Sequence, residues 1–135
     1  MRIVNHLRLS EAARLLGVSD DTVRRWAESG RLPSSTDASG RRVVAGPDLA
    51  AFAAAHAESP TPGTTGRASA RNRMVGIVTK VVRDTVMAQV EMQCGPHRVV
   101  SLMSREAADD LGLEPGVVAV ASIKSTNVVV EVEAP

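Results

Sequence analysis

"SEAARLLGVSDDTVRRWAESG", residues 10–30, carries two short amphipathic helices separated by a tight turn. Apolar side chains recur three and four positions apart on both sides of Gly17, which is typical of helices that each bury one face. Ser10 and Ser19 are predicted to be the helix N-caps, and Gly17 is predicted to end the first helix. The predicted inward face of the second helix consists of Val23, Trp26 and Ala27.

The opposite face of the second helix is basic, and more arginines follow it. Residues 31–44, "RLPSSTDASGRRVV", are predicted to form a loop or short hairpin before a third helix at residues 47–56. In a chain of net charge +1 this is a local basic cluster, and outward arginines on a helix-turn-helix can contact phosphates and guanine edges. The predicted contacts to duplex DNA are Thr22, Arg24, Arg25, Arg31, Arg41 and Arg42. The alternative is a three-helix protein-interaction module whose arginines are solvated.

Residues 7–56 also resemble the winged helix-turn-helix domains of the MerR and excisionase-like family. The resemblance rests on "SEAARLLGVSDDTVRRWAESGRLPSSTDASGRRVV". It implies that the second helix reads DNA and that a wing at residues 31–44 contacts the DNA backbone.

The hydrophobic period changes in the second half of the chain. Residues 57–68, "AESPTPGTTGRA", lack apolar periodicity and read as a linker. Beyond them, alternating patterns predict five strands, at residues 74–82, 86–93, 97–104, 117–124 and 127–132. A short helix is predicted at residues 104–111, between the third strand and the fourth. That order is typical of an OB-type barrel.

The predicted fold class is therefore an α+β protein of two domains. An all-α winged helix-turn-helix domain would occupy residues 1–58, and a linker would occupy residues 59–67. An OB-like five-stranded β-barrel with one short helix would occupy residues 68–135.

Two polar segments flank the predicted strands. Residues 69–72, "SARN", precede the first strand, and residues 124–127, "KSTN", join the fourth to the fifth. In a small barrel they can meet, either within one chain or across a subunit interface. Hydroxyls, amides, a guanidinium and an ammonium offer only donors and positive charge, which suits a small oxyanion. No nucleophile–base pair accompanies them, so we expect neither catalytic residues nor an enzyme.

Residues 68–133 closely resemble the molbindin, or Mop (TOBE-like), domain of molybdate-binding proteins. The residues that carry the resemblance are "SARN", "GIVTKVVRD", "VMAQVE", "VVSLMSREAADDLGLEPG" and "KSTNVVVEV". The resemblance implies barrels that associate and hold molybdate or tungstate at subunit interfaces. Carried over to this sequence, it gives the oxyanion-binding positions as Ser69, Ala70, Arg71, Asn72, Ser101, Ser104, Lys124, Ser125 and Thr126.

Together the two halves predict a molybdate- or tungstate-responsive transcriptional regulator. Its expected partners are duplex DNA and other copies of itself, as a dimer or a trimer of dimers, with no membrane. The alternative is a molybdate or tungstate storage protein whose first half serves assembly. The single cysteine and the absence of an apolar run of about 20 residues favour a cytoplasmic location. Cys94 and His97 are too few ligands for a metal cation.

Overall fold

The computed structural model describes residues 5–57 and 69–134. The chain divides into two compact units, residues 1–58 and residues 59–135. The predicted linker at 59–67 lies outside the described residues. In the described ranges, no helix has both the length and the apolar character that crossing a membrane requires.

The described part of the first unit combines helices with a small antiparallel sheet of order β1-β3-β2. Its elements are β1 (His6–Arg8), α1 (Leu9–Leu16), α2 (Asp20–Glu28), β2 (Ser35–Thr36), β3 (Arg42–Ala45) and α3 (Gly46–His56). The prediction of an all-α first domain is therefore wrong. The three-residue strand β1 is too short to show a period of its own, and it exists because β3 pairs with it.

The two helix starts differ in how they are capped. Ser19 caps α2 as predicted, because its hydroxyl accepts the N–H of Thr22 at 3.2 Å. Ser10 does not cap α1, because α1 begins at Leu9 and its N-cap residue is Arg8. There the backbone N–H of Arg8 donates to Oε1 of Glu11 at 3.2 Å, so a glutamate reaching back replaces the predicted serine cap.

The core of the first unit fixes the orientation of α2. Val23 is fully buried on α2, and it packs with other buried side chains, among them Ala12, Leu32 and Val44. Trp26 contacts this core at its edge, with its ring centroid 4.9 Å from that of Phe52 on α3. The opposite face of α2, with Arg24 and Arg25, is exposed.

The second unit is a curved antiparallel sheet of order β6-β5-β4-β7. Its elements are β4 (Asn72–Arg83), β5 (Met87–Cys94), β6 (His97–Ser104), α4 (Arg105–Asp110), β7 (Val118–Ile123) and a 3-10 turn (Ser125–Asn127). The first half of β4 pairs with β7 and the second half pairs with β5, with an irregularity in the β4–β5 register between Val78 and Lys80. This irregularity lets one long strand bend from one neighbour to the other.

The predicted fifth strand, residues 127–132, does not form in this chain. Residues 128–134 belong to no strand or helix, and Val129, Val130 and Val132 are at least 82% exposed. A strand needs a paired neighbour, and here this segment pairs with none of the strands in the described part of the sheet. The alternating valines predict a strand, and that strand is absent from the described part of the sheet.

The side chain of Arg83 holds the sheet to the rest of the unit. The guanidinium of Arg83 donates to Oδ1 of Asp109 at 3.0 Å, and to the carbonyl of Leu113 and Oε1 of Glu114 at 2.8 Å each. It thereby ties β4 to α4 and to the loop that follows. Within the sheet, Gly76 of β4 lies so close to β5 that an added Cβ would fall 2.6 Å from Sγ of Cys94.

Candidate functional site

The pairing of β4 with β7 brings together the two polar segments predicted to bind an oxyanion. Asn72, the first residue of β4, lies opposite Ile123, the last residue of β7. Its side-chain amide also donates to the carbonyl of Ile123 at 3.1 Å. Because the strands are antiparallel, residues 69–71 enter the sheet at the end where residues 124–126 leave it. The two segments thus meet within one chain.

This end of the sheet presents hydroxyls and positive charge to solvent. Ser69, Arg71 and Lys124 are exposed. Lys124 is the N-cap residue of the 3-10 turn, in which the N–H of Asn127 donates to the Lys124 carbonyl at 2.9 Å. The turn places Ser125 and Thr126 directly after the lysine. Such a group of donors is suited to an anion that accepts hydrogen bonds at each oxygen.

Ser101 and Ser104 lie elsewhere in the same sheet. Ser104 pairs with Met87 at the far end, beside the pair Ala88–Arg83, which is about 36 Å along β4 from Asn72. Its hydroxyl accepts the N–H of Ala107 at 3.1 Å and caps α4. Ser101 lies on β6 opposite Val90. Ser101 lines the same groove as Ser122 and Ile123, whereas Ser104 lies far along the sheet from Asn72.

Part of the predicted DNA-binding set forms one basic surface on the first unit. Arg24 of α2 and Arg41 and Arg42 of the hairpin line the same shallow depression, together with Arg8. Arg8 was not predicted, because only the pairing of β1 with β3, which sets Arg8 opposite Val43, places it there. Two acids, Asp20 and Glu28, line the same depression.

An aspartate shapes the hairpin that presents Arg41 and Arg42. Oδ1 of Asp37 accepts the backbone N–H groups of Ser39 and Arg41, both at 2.9 Å. Gly40 adopts a left-handed φ of 79°, which closes the turn. The predicted wing thus contains a two-strand hairpin, with Arg41 and Arg42 exposed where its second strand begins.

The other two predicted DNA-binding arginines, Arg25 and Arg31, contact residues that do not line this depression. A guanidinium nitrogen of Arg25 lies 3.4 Å from the hydroxyl of Thr22, one turn earlier on α2. Arg31 lies 3.4 Å from Nε2 of His56, whose ring stacks on Phe52 with centroids 4.0 Å apart. Arg31 therefore lies against α3 and does not line the depression that holds Arg24.

Arg24 itself is held by a neighbouring acid. It forms an ion pair with Asp21 at 3.0 Å, and both side chains are more than half exposed. Exposed pairs of this kind contribute on the order of 0–1 kcal/mol. Arg24 can therefore exchange Asp21 for a DNA phosphate at little cost in free energy.

Comparison with known proteins identifies both units. Residues 68–130 match the TOBE domain family, and residues 7–57 match a helix-turn-helix domain family. Over 63 residues the chain is 38% identical to molybdenum-pterin-binding protein 3 of Clostridium pasteurianum, covering 46% of this chain and 93% of that protein. The chain belongs to the TOBE domain family.

Two solved structures are similar to this TOBE protein. A molybdate-binding protein from Sporomusa ovata is 31% identical, with a TM-score of 0.47, and the match covers 48% of this chain and 97% of the other. The cytoplasmic molybdate-binding protein ModG, with molybdate bound, is 28% identical with a TM-score of 0.47. That match covers 67% of this chain and 75% of ModG.

The family boundaries coincide with the structural features described above. The TOBE match includes both polar segments, 69–72 and 124–126, and ends inside the exposed tail at residue 130. The helix-turn-helix match ends one residue after α3. TOBE and helix-turn-helix domains are binding modules, so the protein is not an enzyme.

The TOBE domain contains one further pair of residues with metal-binding side chains. Cys94 and His97 lie opposite each other across the turn between β5 and β6. Cys94 is buried and His97 is exposed, so the two do not face a common site. No group of three or more His, Cys, Asp or Glu residues that could hold a metal ion occurs in the described ranges.

Proposed function

We propose that this protein is a cytoplasmic transcriptional regulator that responds to molybdate or tungstate. The observation that carries the proposal is the β4–β7 register, which sets residues 69–72 beside residues 124–126 in a TOBE domain. The same chain carries a helix-turn-helix domain with three arginines and Arg8 around one depression. The molybdenum-pterin-binding relatives support an oxyanion of the molybdate type as the ligand.

The chemistry of the site favours a large dianion. Hydrogen-bond donors in fixed positions select by size, so molybdate and tungstate should compete with each other and exclude the smaller sulfate. Phosphate is partly protonated at neutral pH, and it would then direct a donor at donors. We therefore expect phosphate to bind weakly as well.

We infer that the anion site is completed by assembly of several copies, as a dimer or a trimer of dimers. Ser101 and Ser104 would then join residues 69–72 and 124–126 from a neighbouring chain. Arg71 and Lys124 bring positive charge to the site, and that charge attracts a dianion. A ligand that binds only the assembled form stabilises it by mass action.

One observation favours the alternative of an oxyanion storage protein. Asp20, Asp21 and Glu28 lie beside Arg24 on the face of α2 that would approach DNA. Carboxylates there oppose the phosphate backbone, and a first unit that serves assembly would have no need of a uniformly basic surface. In that case molybdate would bind without any DNA recognition.

Two measurements on the full chain separate these functions. Calorimetric titration with molybdate, tungstate, sulfate and phosphate measures the anion site. Selection of bound duplexes from fragmented genomic DNA, followed by fluorescence anisotropy with and without molybdate, measures regulation. A regulator yields an operator whose affinity changes with molybdate. Tight molybdate binding with no selected operator supports storage, and no binding of molybdate or tungstate rejects both functions.

A further inference from the structure

The surface of α2 that lines the basic depression carries acids as well as an arginine. Asp20, Arg24 and Glu28 follow one another at intervals of four residues, so they form one stripe along the helix. All three are exposed, and all three line the depression together with the arginines of β1 and of the hairpin. Negative and positive charge therefore alternate along the part of α2 that meets these arginines.

The start of α2 does not require the carboxylate of Asp20. Ser19 caps the helix, because its hydroxyl accepts the N–H of Thr22 at 3.2 Å. Asp21 supplies an acid to the first turn, where the helix dipole favours one, and it is Asp21 that pairs with Arg24. Among the residues that the structure describes, Asp20 forms no ion pair. Its carboxylate is therefore available to a ligand in the depression.

A carboxylate on a DNA-binding surface restricts the part of the duplex that it can face. Phosphates repel it, whereas they attract the arginines beside it. Asp20 is the first residue of α2, and the N-terminal residues of the second helix of a helix-turn-helix contact base edges in the major groove. Glu28 is the last residue of α2, about 12 Å further along the helix axis. Of the two acids, Asp20 thus lies at the end of α2 that approaches the bases.

Cytosine is the base whose major-groove edge suits a carboxylate. A carboxylate can only accept hydrogen bonds, and cytosine presents a single donor there, its N4 amino group. Guanine presents two acceptors, and thymine presents an acceptor and a methyl group, so neither pairs with a carboxylate. Adenine places the acceptor N7 beside its amino group, which suits the amide of an asparagine, since that amide both donates and accepts.

We propose that Asp20 is a specificity residue, which accepts a hydrogen bond from N4 of one cytosine in the operator while the arginines around it bind phosphates. This role of Asp20 rests on the DNA-binding function proposed above. A duplex without that cytosine leaves the carboxylate desolvated and unpaired against acceptor atoms, which rejects the wrong sequence. The carboxylate thus reduces attraction to DNA in general and makes the binding that remains depend on sequence.

The test uses the full chain and an operator selected by the wild-type protein from fragmented genomic DNA. Each base pair of that operator is replaced in turn, and fluorescence anisotropy gives the affinity for every duplex. For the wild type we expect a C·G pair whose replacement weakens binding about fivefold or more. In Asp20→Ala the same replacement should change the affinity by less than about twofold, because the interaction is already lost. Asp20→Asn should instead prefer adenine at that position.

Glu28→Ala is the matched control, because it removes the same charge from the same stripe at the other end of α2. It should strengthen binding to all the duplexes by a similar factor and leave the preference for the C·G pair in place. Wild-type base preferences in Asp20→Ala, or an equal change for all duplexes in Asp20→Asn, overturn the role of Asp20 and leave DNA binding standing. If the wild type selects no duplex, the DNA-binding function fails, and the role of Asp20 fails with it.

Discussion

Asn72 lies opposite Ile123 in the antiparallel register, and its side-chain amide donates to the Ile123 carbonyl at 3.1 Å. The amide lies at the point where β4 begins and β7 ends. It therefore fixes the separation of the two polar segments that flank it, residues 69–71 and 124–126.

Replacing Asn72 should uncouple these segments. Asn72→Leu removes the bond to Ile123 while keeping the side-chain volume, and we expect molybdate to bind about fivefold more weakly, since a hydrogen bond contributes about 1 kcal/mol. Thr79→Val is the matched control. Thr79 lies on the same strand as Asn72, and its hydroxyl donates to the Glu91 carbonyl at 3.3 Å. Calorimetry giving equal affinities for the two variants would contradict the role of Asn72.

The two lysines of the chain offer a direct comparison of charge at and away from the site. Lys124→Ala should weaken molybdate binding by about 10- to 100-fold, because hydrogen bonds to charged groups contribute about 1.5–3 kcal/mol. Lys80→Ala removes an equal charge from the half of β4 that lies away from the site, and it should leave the affinity for molybdate within about threefold. Equal losses in both variants would mean that only net charge matters.

The double variant Arg24→Ala, Arg25→Ala tests the DNA surface. Removing one phosphate contact should reduce the slope of log affinity against log salt by about 0.9, and operator binding should weaken at every salt concentration. Arg14→Ala on α1 removes the same kind of charge outside the depression and serves as the control. Fluorescence anisotropy between 50 and 200 mM salt, a span of about fourfold, measures both slopes. An unchanged slope in the double variant would exclude α2 from the DNA interface.

Gly76→Ala should destabilise the second unit alone. The added Cβ would lie 2.5 Å from the Gln93 carbonyl oxygen, so the backbones of β4 and β5 must separate, at a cost of about 1–3 kcal/mol. Gly46→Ala is the control, because its Cβ would meet nothing closer than 3.4 Å. Circular dichroism should show the destabilisation for Gly76→Ala, while the fluorescence transition of Trp26, in the first unit, stays in place. If the circular dichroism and the Trp26 fluorescence transitions both shifted, the destabilisation would not be confined to the second unit.

Asp84 gives the second unit a specific acid sensitivity. Hydrogen bonds from the backbone amides of Met87 and Val86 lower the pKa of its carboxyl below the ordinary value. The stabilisation is therefore complete above the unfolded-state pKa and is lost as the pH falls through the lowered one, below about pH 4. Asp84→Asn should be less stable than the wild type at neutral pH, and the difference should shrink below about pH 4.

Thr85→Ala is the control for that titration. It alters the same turn without removing a titratable group, so its stability curve should be displaced evenly at all pH values. Urea unfolding at a series of pH values measures both variants. A gap between wild type and Asp84→Asn that stays constant down to pH 3, about a unit below the ordinary pKa of aspartate, would contradict the role of Asp84.

Local patterns predicted most of the elements, because they depend on neighbours in the sequence. The N-cap at Ser19, the buried face of α2 and four of the five strand segments after residue 68 follow from periods and caps. The strand β1 and the position of Arg8 could not be predicted in this way. Both depend on pairing with β3, which lies about 35 residues later in the chain.

The candidate oxyanion site was predictable in composition, and its geometry required the sheet. The donors of residues 69–72 and 124–126 are visible in the sequence, but their meeting within one chain depends on the β4–β7 register. The tail at 128–133 shows the opposite case. Its alternation predicts a strand, yet strand formation depends on a partner that the sequence pattern does not locate.

The burial of Cys94 against Gly76 makes the sheet accessible to a simple chemical measurement. Cys94 is the only cysteine of the chain, and it is 5% exposed between β4 and β5. A thiol reagent reaches a buried cysteine when the structure around it opens, so the labelling rate reports how often the second unit opens around Cys94. Whatever tightens the second unit, such as a bound anion, can therefore be followed as slower labelling of one native atom, without introducing a probe.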